Sequence, residues 1–177
     1  RQLLDSLAEG VFGIDSAGNF TFLNPAACRL LGIGAESEVL GHNAHALVHH
    51  TRPDGTPYPA AGCPITQTLA TGRAGDAWED WFWRRDGTGF PAEVFAAPLT
   101  DAEDRPEGVV VSFQDITRRK AAETSRDQVL AILDATPDFV SMARANGTIT
   151  YVNRGGLRML GEDPSRNGLD HPLPAWL

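Results

Sequence analysis

The chain has 177 residues and the apolar and charged content of an ordinary soluble globular protein, which excludes wholesale disorder. At roughly 100–200 residues per domain it holds one full domain and a fragment, or two small ones. The net charge is −8, and residues 1–117 carry seven arginines against sixteen acidic residues; an acidic chain with no basic stripe repels phosphate backbones, so nucleic acid is excluded as a first partner.

Gln2–Ala8 reads as a short amphipathic helix, with Leu3, Leu4 and Leu7 on one side. Val11–Asp15 and Phe20–Leu23 read as strands joined by the turn Ser16-Ala17-Gly18-Asn19, where Gly18 supplies a positive φ. Asn24 then caps a helix with Pro25 at its first position, and Gly32 closes it. Short helical pieces are expected at Glu36–Leu40 and His42–His50. Thr51–Cys63 is dense in Pro and Gly and is expected to form an ordered loop that packs Tyr58 and Cys63, with a lid as the alternative. Pro64–Ala70 predicts another helix. Three strands follow: Asp76–Arg85, Phe90–Pro98 and Gly108–Gln114, the last two joined by the acidic turn Asp101–Glu107. Asp115-Ile116-Thr117 opens a charged helical stretch, Arg118–Ala135. The order predicts an α+β domain, an antiparallel sheet with helices gathered on one face.

Shifted by 129 residues, the chain repeats itself: Leu3–Gly32 lies on Ile132–Gly161 without a gap. Identical pairs include Leu4/Leu133, Asp5/Asp134, Val11/Val140, Gly18/Gly147, Asn24/Asn153 and Gly32/Gly161. One module is therefore present twice, complete over 1–117 and only begun over 136–177, with 118–135 as the connecting helix. The opening hairpin of the second copy, around Phe139–Val152, lacks later strands; it is expected to pair with something, swap, or stay poorly ordered.

The hairpin followed by Asn24, the run Trp83-Arg84-Arg85-Asp86-Gly87-Thr88-Gly89-Phe90-Pro91-Ala92-Glu93-Val94, and the ending Phe113-Gln114-Asp115-Ile116-Thr117-Arg118-Arg119-Lys120 together resemble a PAS domain. The resemblance covers 1–117, and 136–177 resembles the first third of a second copy. It implies a five-stranded antiparallel sheet in the order 2-1-5-4-3. It also implies a sensory module of a bacterial-type signalling protein, upstream of an output domain such as a histidine kinase or diguanylate cyclase that this chain does not contain. No enzyme activity is expected of the chain itself: it shows no Gly-rich phosphate loop, no Ser-His-Asp pattern and no phosphoacceptor His box.

Alternation in the third strand sends Trp78, Asp80, Phe82 and Arg84 one way and Glu79, Trp81, Trp83 and Arg85 the other. Aromatics on both faces mean that something covers the outer one: the N-terminal helix, the connecting helix, or a second copy in a homodimer. A ligand pocket is expected between the inner face and the helices after Asn24, with Asn24, His42, Trp78, Val111, Phe113 and Gln114 as candidate contacts for an unidentified small molecule; for Asn24 the alternative is a purely structural cap. His42, His45 and His49 fall on one face of a helix if that segment is helical, and with Cys63 they form a donor set for Zn²⁺ or haem iron, although the spacing matches no strong metal signature. The plain alternative is that these histidines are surface and capping residues.

Relatives that form a flavin photoadduct need an Asn-Cys-Arg-Phe-Leu-Gln run, and here the text is Ala27-Cys28-Arg29-Leu30-Leu31-Gly32. The expectation is no bound cofactor, with haem or non-covalent flavin as the alternatives, and a ligand-free dimerisation spacer as another reading. Asp115, Ile116 and Thr117 are the candidate signalling residues, since they tie the last strand to the connecting helix. Neither a membrane segment nor a signal peptide is legible, and two cysteines are too few for a disulfide framework, so the expected compartment is the cytoplasm. The chain does not open on Met, so an excised piece of a longer protein is expected.

Overall fold

The computed structural model describes residues 6–102 and 105–163. The chain divides into two units, Arg1–Lys120 and Ala121–Leu177. In the first, strands β1 (Gly10–Asp15) and β2 (Phe20–Leu23) form a hairpin, followed by helices α1 (Pro25–Leu31), α2 (Ala44–Val48) and α3 (Pro64–Thr71), then strands β3 (Trp78–Trp83), β4 (Gly89–Thr100) and β5 (Pro106–Asp115). The five strands make one sheet in the order β2-β1-β5-β4-β3, and every pair is antiparallel. This is the expected α+β architecture. β5 runs straight into helix α4 (Thr117–Ala135).

Period-two burial places the core. Phe12 and Ile14, Phe82, Phe90 to Ala96 at every second residue, and Val109, Val111 and Phe113 all point inward. They meet Ala27 and Leu31 of α1, Val39 just after the turn Glu36–Glu38, Ala44 and Val48 of α2, and Cys63 and Ile65 at the start of α3. Burying a large apolar side chain contributes about 1.5–3 kcal/mol, so this single layer of contacts between sheet and helices holds the unit together. Three aromatic rings occupy the space over glycines of neighbouring strands: Phe113 at Gly10, Phe22 at Gly13 and Trp81 at Gly89. A methyl group at any of the three would collide with its ring.

Asn24 shows how the hairpin is locked to α1. Its side-chain oxygen accepts from Val11 N at 2.9 Å and Ala27 N at 2.7 Å, and its amide donates to Glu9 O at 2.9 Å. Gly32 ends the helix at φ 67°, a left-handed conformation that glycine adopts without a Cβ penalty.

Several expected boundaries move. The helix expected over Gln2–Ala8 falls mostly outside the described residues, and Ser6–Ala8 are not helical. Glu36–Leu40 is a single 3₁₀ turn, Glu36–Glu38. The helix expected over His42–His50 shortens to Ala44–Val48, because the Asn43 side chain caps it by accepting from Ala46 N at 3.0 Å. Upstream of that cap, Phe20 N donates to His42 O and Gly41 N to Phe20 O, so His42 belongs to a turn held beside β2.

The second unit holds a two-stranded sheet, β6 (Ser141–Ala143) with β7 (Ile149–Val152), and a short helix α5 (Arg154–Met159). Asn153 repeats the role of Asn24: its oxygen accepts from Val140 N and Gly156 N, both at 2.9 Å, and its amide donates to Leu133 O and Asp138 O.

Candidate functional site

A cavity of about 230 Å³ lies between the inner face of β1 and the helical layer. Phe12 and Ile14 form its floor, Ala17 and Gly18 of the first turn one rim, and His45, His49 and Cys63 its polar wall. One side-chain donor atom from each of these three lies within 4.8 Å of the others.

Each element delivers one piece. α2 carries His45, and His49 ends it as the C-cap residue. Cys63 is the N-cap of α3, with Pro64 at the first position of that helix. The loop before it is ordered: Arg52 N donates to Thr56 O, Tyr58 N to His50 O, and Tyr58 sets its ring edge-on to His49 at 4.6 Å between centroids. The expected packing of Tyr58 and Cys63 by this loop is what the structure has.

His49 is buried. Its Nδ1 lies 3.1 Å from Cys63 Sγ, and its Nε2 lies 3.0 Å from Asp80 Oδ2. The Asp80 contact is close but off the hydrogen-bond line. Asp80, on β3, is held by Trp78 Nε1 at 3.0 Å and Trp81 N at 2.9 Å. Burial alone would lower the His49 imidazole, but the Asp80 carboxylate and the Cys63 sulfur outweigh it and push it up to about 9. Burial would raise the Cys63 thiol, yet the His49 ring and the N–H groups of Thr66 and Ile65 bring it below its ordinary value. Asp80 is likewise lowered: burial opposes this and His49 overcomes it. His45 goes the other way, because burial favours its neutral form. Its Nε2 sits 2.7 Å from Tyr58 O. A carbonyl only accepts, so Nε2 carries the hydrogen and Nδ1 the lone pair. That Nδ1 is buried and, among the described residues, has no hydrogen-bond partner.

Of the expected metal donors, His45, His49 and Cys63 converge and His42 does not. His42 is exposed and lines a separate, more open groove with Leu31, Val39 and Arg84. The expected sharing of one helical face by His42, His45 and His49 is therefore corrected, and the cause is the Asn43 cap. The expected small-molecule contacts are also dispersed. Asn24 is consumed in the hairpin lock, and Val111 and Phe113 are solid core. Gln114 points outward to Glu9, and Trp78 braces Asp80 from outside the cavity lining. Asp80 itself escaped the reading of the sequence. Its signal was present as a lone charge on the inward side of the alternation Trp78-Asp80-Phe82.

Cys28 lies apart from this cluster, on α1, and lines a surface groove with Pro25 and Glu36. Burial, reinforced by Glu36 and Glu38, raises its thiol. The cavity is smaller than the ~300–1,000 Å³ usual for organic ligands.

The three signalling candidates sit at the β5–α4 junction. Asp115 Oδ1 accepts from Thr117 N at 2.8 Å and Oδ2 pairs with Arg84 at 2.9 Å, while the Ile116 side chain is buried and its N–H donates to Pro91 O. The first turn of α4 is pinned to the outer face of the sheet: Arg119 lies 3.1 Å from both Glu79 and Glu93, and Lys120 pairs with Glu79. This covers part of the outer face, and Phe95 and Leu99 stay exposed. No helix among the described residues is long and apolar enough to cross a membrane.

Comparison with known proteins agrees with this architecture. A family model described as the PAS fold matches residues 1–116, and a second, described as a PAS domain, matches 128–176. The C4-dicarboxylate transport sensor protein DctS of Rhodobacter capsulatus is 35% identical over 136 residues, which is 72% of this chain but 19% of that protein. An RNA-binding light-oxygen-voltage receptor superposes with a TM-score of 0.58 at 22% identity, covering 73% of this chain and 36% of the other. The PAS domain of a protein from Colwellia psychrerythraea gives 0.55 at 14% identity, covering 66% and 93%. These two likenesses concern the fold. With a family model spanning most of the first unit, and the strand order and asparagine lock in place, the chain belongs to the PAS domain family.

Proposed function

We propose that this chain is the sensory module of a signal-transduction protein, in which the state of the cavity is relayed through the sheet to α4 and onward to an output domain. The observation that carries this reading is a pair of adjacent residues on β3. Asp80 touches His49, which lines the cavity, while Glu79, on the opposite face, holds Arg119 and Lys120 of α4. Strand neighbours point to opposite faces, so a shift of Asp80 moves Glu79 with it. The junction at Asp115 and Ile116 adds a stiff connection from β4 and β5 to the same helix. Kinship with a sensor protein supports the reading, and the catalytic step then belongs to the output domain, a histidine kinase or diguanylate cyclase. Val129 and Ile132 are exposed on α4 at helical spacing, which suits pairing with a second copy. The proposed setting is the cytoplasm.

The test is a fusion of this chain to a kinase core, with residues inserted after Glu123. One added residue turns everything downstream by about a quarter of a turn, whereas seven restore the phase. Kinase output should be lost with one or two insertions and return with seven. Output indifferent to helical phase would refute a rotating or sliding relay.

A further inference from the structure

The cavity wall has the features of a built metal site, and we infer that Cys63, His49 and His45 bind one Zn²⁺ ion per chain. This deepens the sensor reading by naming what the cavity holds, although it stands on these residues alone.

Three observations carry it. First, a thiol and two imidazoles bring their donor atoms within 4.8 Å of one another, with Cys63 and His49 buried and His45 half-buried. Second, the far nitrogen of each imidazole has an acceptor of the kind a metal-bound histidine uses, hydrogen-bonded in the case of His45 and close but not aligned in the case of His49. His45 Nε2 donates to the Tyr58 carbonyl at 2.7 Å, and His49 Nε2 lies 3.0 Å from the Asp80 carboxylate. Backbone carbonyls and carboxylates are the usual outer partners that orient such rings. Both rings then have Nδ1 as the remaining donor. Third, one of those atoms is otherwise hard to explain: His45 Nδ1 is buried and unpartnered among the described residues, a condition that costs stability unless something uses the lone pair.

One of the three donor spacings is already close to what the ion needs. Zn–S of about 2.3 Å and Zn–N of about 2.0–2.1 Å at a tetrahedral angle set sulfur and nitrogen about 3.6 Å apart. Cys63 Sγ and His49 Nδ1 are 3.1 Å apart, so the ion enters by spreading them about half an ångström. Donor type selects the metal class: one thiolate with two imidazoles suits Zn²⁺ rather than Mg²⁺ or Ca²⁺, which prefer oxygen. The protein supplies three ligands, and the fourth position faces the cavity. That is the pattern of a site that exchanges a small ligand, since purely structural zinc sites are closed by four protein ligands.

The test uses the full chain, stripped with a chelator and then titrated with Zn²⁺ against a chromophoric competitor, and separately with Co²⁺. One equivalent should bind. Co²⁺ should show a thiolate-to-cobalt charge-transfer band and intense visible bands of tetrahedral type. Cys63→Ser should abolish the charge-transfer band, and His45→Gln should weaken Zn²⁺ binding by on the order of 100-fold or more. Asp80→Asn, acting through His49, should weaken it about 10–100-fold, and His42→Ala should leave it unchanged. If Cys63→Ser does not fold, His45→Gln, at a half-buried position, carries the test. Absence of stoichiometric binding, or equal binding by wild type and His45→Gln, overturns the site. Zn²⁺ binding with no effect on kinase output in the fusion would support the site and count against the relay.

Discussion

A single buried amide does the structural work of a short covalent link in each unit. Asn24 satisfies two N–H groups and one carbonyl across three segments. Asn24→Ala should therefore lower unfolding free energy by at least about 2 kcal/mol, more than an ordinary helix cap, because it also strands the Val11 N–H in the sheet. Urea denaturation of the two proteins measures it. Asp15 gives a pH-dependent counterpart. The Asn19 N–H, helped by Ala17 N–H and opposed by burial, holds its carboxyl below the ordinary value of 3.8. A depressed carboxyl stabilises the fold above its unfolded value, and that contribution is lost as pH falls through its folded value. The gap in urea midpoint between wild type and Asp15→Ala should be present at pH 7 and narrow as the pH is taken below the ordinary carboxyl value of 3.8; a constant gap would contradict this. Individual residues were legible in the sequence where local rules govern them, as with the caps at Asn24 and Gly32. Asp80 was not, since its role depends on a histidine thirty-one positions upstream, and His42 was misplaced because the cap signal of Asn43, one residue later, carried too little weight.

At the scale of elements, strand order was readable only through family likeness, whereas strand existence followed from alternation and turns. The ends of β4 and β5 run longer than expected because cross-strand hydrogen bonds between them continue past the apolar residues. Helix α4 meets the sheet through two anchors of different kind, the Asp115 cap with its Arg84 pair and the Glu79–Arg119–Glu93 cluster. The cluster is exposed, so it adds little to stability, but it fixes where the helix starts. Glu79→Gln with Glu93→Gln should leave global stability nearly unchanged and speed amide exchange in Thr117–Lys120; unchanged exchange would show that Asp115 alone sets the helix.

For the whole molecule, the two units differ sharply in what they bury. The first closes five strands over a continuous core. Within its described residues, the second has two strands of three and four residues, and buries chiefly Tyr151, Val152 and Leu157 beside Asn153. A two-stranded hairpin with so little burial is marginal alone. Hydrogen exchange should show amides of Val140–Leu157 opening far more readily than those of β4 and β5, and equal protection would contradict this. Asn153→Ala should melt the second unit while the first keeps its cooperative transition.

The three rings lying over glycines have an evolutionary corollary. A side chain can be admitted at position 89 only after the indole at 81 has been replaced by something smaller, and the same ordering links 10 with 113 and 13 with 22. In any set of descendants these pairs should covary, with the aromatic partner changing first.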